Sequence, residues 1–204
     1  KPGGTLGDLY TNSDLVYNDD GYIEVDKNGN VAVKDDYMDD IYLGSVFPKY
    51  NLAWRNDFNY KGINLGVLFT ARIGGICYSA TQANMDLYGV SEASAAARDA
   101  GGVMINGRDM IDAQKWYQVI GSQSGLPQYY TYSATNVRLQ ELSLGYTLPS
   151  KWFRDKMRMT VSFVGRNLWM IYCKAPFDPE AVASTGMNYQ GIDYFMMPSM
   201  RNLG

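Results

Sequence analysis

At 204 residues, with 46% hydrophobic and 19% charged side chains and a net charge of -3, the chain has the composition of an ordinary folded domain. It has no histidine, which removes Ser-His-Asp catalysis, imidazole metal ligation and a histidine proton shuttle together, and mild acidity with no Lys/Arg cluster along the sequence argues against nucleic acid. No apolar run of about 18 residues occurs, which excludes a transmembrane helix but not barrel strands, since those hide half their residues from a hydropathy window.

Residues 1–49 are rich in Gly, Asp and Asn and read as a polar loop, within which YIEVDKNGNVAV predicts a small hairpin turning at Lys27 to Gly29. Asp26, Asn28 and Asn30 alternate like the start of a calcium loop, but the glycine is displaced and Tyr37 stands where the closing glutamate belongs, so a hairpin turn is the better reading. The pairs Asp19-Asp20, Asp35-Asp36 and Asp39-Asp40 suggest a two-carboxylate hydrolase. Adjacent acids point apart, however, and solvated loop charge accounts for them.

Residues 50–73 form a predicted strand hairpin. Tyr50, Leu52, Trp54, Phe58 and Tyr60 alternate with Asn51, Arg55, Asp57 and Asn59; after the turn at Lys61-Gly62, Ile63, Leu65, Val67, Phe69, Ala71 and Ile73 oppose Asn64, Thr70 and Arg72, with Leu68 as the exception. Each strand is about eleven residues, enough for a tilted bilayer crossing and about twice an ordinary soluble strand. Arg55, Asp57, Arg72, Arg158 and Arg166 all fall on the less apolar faces. Facing a wet lumen costs such residues little, whereas Arg or Lys toward lipid at mid-membrane costs about 2 to 4 kcal/mol. A soluble β-sandwich produces the same alternation.

The connection over 74–135 is far beyond a hairpin loop. Within it, Ser91 is placed to cap a helix through SEASAAARD that stops at Gly101-Gly102, Asp112 to cap another through AQKWYQVI that stops at Gly121, and Asn106-Gly107 to make a tight turn. Trp116, Tyr117, Tyr129, Tyr130 and Tyr132 are candidates for contact with a sugar, a peptide or a partner, though such rings equally pack a large loop.

A second strand pair is predicted over 136–167, linked around Pro149 to Lys156. Val137 and Leu139 are apolar at odd positions, but Leu142, Leu144, Tyr146 and Leu148 at even ones. One extra residue at Gln140-Glu141, a β-bulge, returns the apolar residues to one face and Arg138, Ser143, Gly145 and Thr147 to the other; two short strands with a kink are the alternative. Met157, Met159, Val161 and Phe163 then oppose Arg158, Thr160, Ser162 and Arg166. The expected outcome is four antiparallel neighbours in chain order, with Tyr50, Trp54, Tyr60, Tyr146 and Phe163 on the outer face. Residues 168–199 read as loop, with FDPE a rigid proline turn, and 200–204 as the start of a further strand. Cys77 and Cys173 stand apart without a CxxC, so neither a zinc site nor a disulfide framework follows.

The blocks ATNVRLQELSLGYTLP, VSFVGRNLWMIY and APFDPE, preceded by PKYNLAWRNDFNYKGINLGVLFTARIGG and DLYGVSEASAAARDAGGVMINGR, resemble the SusC/RagA family of TonB-linked outer-membrane proteins over residues 7–204. Several spaced blocks in order are harder to match by accident than one motif. The resemblance implies an all-β fold: antiparallel strands forming the C-terminal part of a transmembrane β-barrel in the outer membrane of Bacteroidetes, with short periplasmic turns and long extracellular loops carrying short helices. It implies active import of bulky nutrients, glycans or peptides, energised by TonB-ExbB-ExbD through an N-terminal region with plug and TonB box that lies outside this chain, and assisted by a SusD-like surface lipoprotein. Membrane lipid is then a further partner, and no catalytic residue, metal or cofactor is implied. The chain opens at KPGGTLGDLY without a signal peptide and stops at SMRNLG, so both ends read as cut. The rival readings are a soluble surface carbohydrate-binding β-sandwich and the two-carboxylate hydrolase.

Overall fold

The structure, a computed structural model, describes residues 3–35, 40–154, 156–181 and 190–204. Asp36, Tyr37 and Asp39 of the acidic stretch lie outside the described residues. In chain order the strands are β1 (Asp8–Thr11), β2 (Ser13–Leu15), β3 (Val33–Asp35), β4 (Ile41–Ser45), β5 (Tyr50–Tyr60), β6 (Ile63–Ile73) and β7 (Ile76–Ser79), followed by helices α1 (Ala80–Leu87) and α2 (Glu92–Asp99). Then come β8 (Val103–Ile105), β9 (Asp109–Ile111), helix α3 (Ala113–Gly121), β10 (Thr131–Ser133), β11 (Asn136–Thr147), β12 (Thr160–Cys173), β13 (Ile192–Asp193) and β14 (Asn202–Leu203). They fall into two units, one of Lys1–Val46, Ile76–Tyr132 and Val182–Met196, the other of Phe47–Gly75, Ser133–Ala181 and Met197–Gly204.

The second unit is one antiparallel sheet in the order β14-β12-β11-β6-β5. Its first four strands in chain order run 11, 11, 12 and 14 residues, lengths that suit a bilayer crossing rather than a small soluble sheet. Register assigns the faces. Trp54 pairs with Phe69 and Phe69 with Leu139, while Arg55 pairs with Leu68 and Leu68 with Glu141, so Trp54 and Arg55 occupy opposite faces. Tyr146 opposite Ile63 and Phe163 opposite Leu144 belong with Trp54. On this apolar face Asn56, opposite Val67, is a polar member, and the rings of Trp54 and Phe69 stack at 5.6 Å. The face is uncovered, with Trp54 60% exposed.

The parity change in β11 has the physical cause the alternation suggests. Against β6, the partner moves from Phe69 to Leu68 while β11 advances from Leu139 to Glu141, leaving Gln140 as the extra residue. Against β12 the same residue faces Asn167 and Leu168, and Asn167 takes a left-handed φ of 52°. That second irregularity extends β12 beyond the expected end at 167: the strand resumes past Leu168 and runs to Cys173. At its other end it begins at Thr160, so Arg158 precedes the strand. All the long connections leave the sheet from the row Tyr50, Ile73, Asn136 and Cys173, and the short turns lie at the opposite end.

The first unit replaces what reads as three separate loops. Antiparallel pairs β1-β4, β2-β3 and β8-β9 combine with a small sheet in which β7 lies between β10 and β13, the β7-β13 pairing being parallel. The predicted hairpin turn is present, with Asp26 accepting from the N–H groups of Asn28 and Asn30, so its carboxylate closes an Asx turn. Ser91 and Asp112 cap α2 and α3 by accepting from the Ser94 and Lys115 N–H groups. Helix α1 escapes the sequence reading; Ser79 caps it, and the Ser79 hydroxyl also donates to Asp193 at 2.7 Å. Leu15, Val31, Ile105, Trp116, Leu126 and Tyr130 form the centre of the core.

Candidate functional site

The polar face of the sheet carries the chemistry. Arg55 grips Asp57 with two nitrogens, at 2.9 and 3.1 Å, and reaches Glu141 at 3.5 Å; Arg166 donates to the other oxygen of Glu141 at 3.0 Å. Glu141 thus bridges two arginines from opposite sides, spanning β5, β11 and β12. The bulge makes this possible: without the extra residue, Glu141 would project from the apolar face. Gly66 supplies the room, because a Cβ there would lie 2.5 Å from the Ser143 hydroxyl and 2.9 Å from an Asp57 oxygen. Toward the short turns a polar ladder continues the face, from Asn59 to Asn64 at 2.5 Å, Asn64 to Thr147 at 3.1 Å and Thr147 to Thr160 at 3.1 Å. Exposed pairs such as Arg55-Asp57 add little to stability, so the network's chemistry is that of a wet, hydrogen-bonding wall.

Of the arginines and acid singled out from sequence, Arg55, Asp57 and Arg166 come together, and Arg72 shares their face through its pairing with Asn51 and Asn136. Arg158 does not join them: it is exposed in the connection before β12. The bulge reading carries Arg138 to the polar face without making it a candidate, and it puts Glu141 within the bulge without assigning it a face.

Arg138 is the buried charge of this face, 3% exposed beside Asp178 at 9%. Its guanidinium contacts Asp178 at 2.9 Å, Glu180 at 3.3 Å and the Asn167 side-chain oxygen at 3.3 Å. Asp178 also accepts the Ser199 hydroxyl, and Asn167 donates to that same hydroxyl at 2.9 Å. The FDPE turn is therefore more than a proline corner, since both its acids are bound by a strand arginine. Burial raises the Asp178 carboxyl, but donation from Arg138, Ser199 and the Glu180 N–H outweighs it and leaves the group below the ordinary carboxylate value.

In the other unit the loop aromatics divide. Trp116 and Tyr130 lie in the core, so they hold the unit together rather than offering a surface. Trp116 meets Tyr129 edge-on at 5.9 Å. The Tyr130 hydroxyl donates to the buried Asp86 carboxylate at 3.0 Å, which also accepts from Gln82 at 2.9 Å. Tyr129 is exposed, and Tyr117 and Tyr132 are half-buried. Burial, with Tyr17 and Asp14 nearby, pushes the Tyr129 phenol up to about 12, so it stays a neutral donor. Replacing Tyr130 by phenylalanine is expected to cost this unit about 1.5 to 3 kcal/mol, the range for a hydrogen bond to a charged group, read as faster local hydrogen exchange over 80–132.

The same unit has a polar groove of about 830 Å³, lined among others by Tyr22, Glu24, Asp26, Asn106, Arg108 and Met110. Asn106, in the left-handed turn between β8 and β9, exchanges two hydrogen bonds with the Ile23 backbone at 2.8 and 2.9 Å, and Arg108 lies over the Tyr22 ring at 4.9 Å. Among the described residues no group of three or more His, Cys, Asp and Glu could hold a metal. Cys77 and Cys173 form no disulfide. No helix among the described residues is long and apolar enough to cross a membrane.

A sheet with one uncovered apolar face, one ion-paired polar face, short turns at one end and long structured connections at the other has the architecture of a barrel wall. Comparison with known proteins agrees. The chain is 24% identical over 188 residues, 88% of its length, to TonB-dependent receptor P3 of Formosa agariphila, and it spans 18% of that relative. A chain of the RagAB peptide importer in its closed-closed state superposes with a TM-score of 0.59 at 16% identity, covering all of this chain and 24% of the other. In the open-open state the TM-score is 0.61 at 15% identity, over 96% of this chain and 21% of that one. No protein-family model matches. The likeness to a portion of a SusC/RagA-type TonB-dependent transporter, read from the sequence blocks, is thus found again in a curated relative and in the fold.

Proposed function

We propose that the chain supplies wall strands and outer-mouth structure to a TonB-energised outer-membrane transporter, not an enzyme, that imports bulky nutrients, glycans or peptides, with a SusD-like lid lipoprotein. The observation that carries this reading is the unlike pair of sheet faces. The apolar face suits lipid, and the face of Arg55, Asp57, Arg72, Glu141 and Arg166 suits a water-filled lumen that hydrogen-bonds passing cargo. TonB-ExbB-ExbD would act through the part of the transporter outside this chain. Of the loop aromatics, Tyr117, Tyr129 and Tyr132 keep surface for substrate or lid, whereas cutting out 91–121 would remove Ile105, Ile111, Trp116 and Ile120 from a core and test folding instead.

Neighbouring residues of β5 provide the test. In the full-length protein with Cys77 and Cys173 replaced by alanine, Ala53→Cys is expected to react with a membrane-impermeant maleimide and Trp54→Cys only with a lipid-soluble one. The reverse pattern, or equal labelling of both, would refute the wall assignment. A soluble carbohydrate-binding sandwich would require a second sheet over the apolar face and a monodisperse folded protein without detergent. Uptake of labelled oligopeptides and oligosaccharides, with and without TonB, then decides the cargo class.

A further inference from the structure

The short-turn end of the sheet gathers positive charge: four cations fall within residues 151–158, a local cluster that the composition-level reading passes over, and the fold adds Lys61 to them. Lys61 lies in the β5-β6 turn; Lys151, Arg154, Lys156 and Arg158 lie in the β11-β12 connection, separated there by Trp152, Phe153, Asp155 and Met157. The two turns are neighbours, because the Gly62 carbonyl accepts the Thr147 N–H at 2.7 Å where β11 ends, and the Leu148 N–H reaches the Met159 carbonyl at 2.9 Å. All five cations are exposed. Among the described residues none of them is in an ion pair, whereas Arg55, Arg138 and Arg166 each bind a carboxylate. Lys61 rests over the Tyr60 ring at 5.1 Å. Five cations that make no ion pair among the described residues, placed at one end of a sheet in a chain of net charge -3, build a local field for an anion.

Two further features adjoin that field. On the apolar face next to it, Ile63, Leu144, Tyr146, Val161 and Phe163 line a cleft of about 590 Å³. At the same end of the sheet are two amphipathic aromatics with little cover: Tyr60, 68% exposed, pairs with the cleft residue Ile63, and Trp152, 70% exposed, lies in the β11-β12 connection among the cations. Such rings settle at the level of lipid headgroups, with the apolar body toward acyl chains and the polar tip toward water. A free phosphate would use the cations and leave cleft and aromatics idle. A nucleic acid would find the cations beside a face it cannot wet. A two-chain lipid with an anionic headgroup uses all three.

We infer that the short-turn end of this wall binds an anionic phospholipid of the periplasm-facing leaflet, its headgroup held by Lys151, Arg154, Lys156 and Arg158 and an acyl chain lying in the cleft between Leu144 and Phe163. The inference rests on the membrane reading above. Basic clusters beside membrane-embedded surfaces attract such lipids through the sum of individually modest attractions, weakened by salt.

Full-length protein in neutral detergent is titrated with phosphatidylglycerol or phosphatidylethanolamine, and bound lipid is counted by native mass spectrometry. Phosphatidylglycerol is expected to bind at least about tenfold more tightly. The variant Lys151→Gln/Arg154→Gln/Lys156→Gln/Arg158→Gln is expected to erase that preference while leaving phosphatidylethanolamine binding unchanged, and Lys151→Arg/Lys156→Arg to retain it. Folding is monitored in each case by heat-modifiable electrophoretic mobility. A heat-modifiable wild-type protein without lipid preference, an undiminished preference in the quadruple variant, or displacement of the lipid by millimolar inorganic phosphate would overturn the lipid site alone. A wild-type protein that never forms a heat-modifiable species would overturn the membrane reading beneath it.

Discussion

Arg138→Ala in the full-length protein is expected to loosen the 174–181 connection and to cost about 3 to 5 kcal/mol, the penalty for removing one partner of a buried ion pair. Only 9% of the Asp178 side chain is exposed, so truncating the arginine leaves a carboxylate with too little water to replace it. Ser199 and the Glu180 N–H still donate, which keeps the loss toward the lower end. Arg138→Lys should recover only part, because an ammonium cannot hold Asp178, Glu180 and Asn167 together as the guanidinium fork does.

The pH dependence separates this latch from ordinary packing. Asp178 is depressed in the folded state, so its contribution is complete above the unfolded carboxylate value of about 3.9 and is lost as pH falls through the lower folded value. In the wild-type protein, exchange protection of 174–181, corrected for intrinsic rates, should stay flat from about pH 8 to 5 and fail only in stronger acid. In Arg138→Ala the burial effect loses its main opponent, the Asp178 value rises, and protection should drift within the range where the wild type is flat. Identical pH profiles for the two proteins would mean that Arg138 merely fills space.

The sheet was legible in the sequence because barrel-type strands are long and their faces differ in solvent, so polarity alternates over many residues with few exceptions. Even Leu68, the exception on β6, sits on the polar face where its parity puts it. The helices announced by Ser91 and Asp112 were legible because a cap is a local event. What could not be read depends on contacts distant along the chain. The parallel pairing of β7 with β13 joins Tyr78 to Ile192, and the first unit draws Leu15, Val31 and Trp116, far apart along the chain, into one core. Trp116 and Tyr130 illustrate an ambiguity of chemistry: an amphipathic ring that can meet a ligand can equally fill a core, and only burial distinguishes them. The end of β12 was misplaced because Asn167, in a left-handed conformation, interrupts the alternation; Trp169 opposite Leu139 returns to the apolar face, and a further register shift at Ile171 brings Tyr172 opposite Val137 there too.

Deleting Gln140 is expected to be the most damaging single change in the wall. Gln140 makes no salt bridge among the described residues and is only half-buried, so a contact inventory would rate it dispensable. Its importance is one of count. Alternation has a period of two, and losing one residue between Leu139 and Glu141 forces one half of β11 to turn over. If the first half turns, Arg138 moves to the apolar face, at about 2 to 4 kcal/mol for an arginine at mid-membrane depth and less near the interface, while Asp178 loses its partner. If the second half turns, Glu141 leaves Arg166 without its carboxylate and Arg55 with Asp57 alone, and Leu142, Leu144 and Tyr146 enter the polar side. Either outcome also breaks the match to Asn167 and Leu168 on β12. The deletion should therefore abolish heat-modifiable, outer-membrane-assembled protein. Gln140→Ala, which keeps the residue count, should assemble as wild type with a change within about 0.5 kcal/mol, the usual effect of a substitution away from any special feature. Normal assembly of the deletion, or failure of the alanine variant, would show that the side chain rather than the spacing sets the register of this wall.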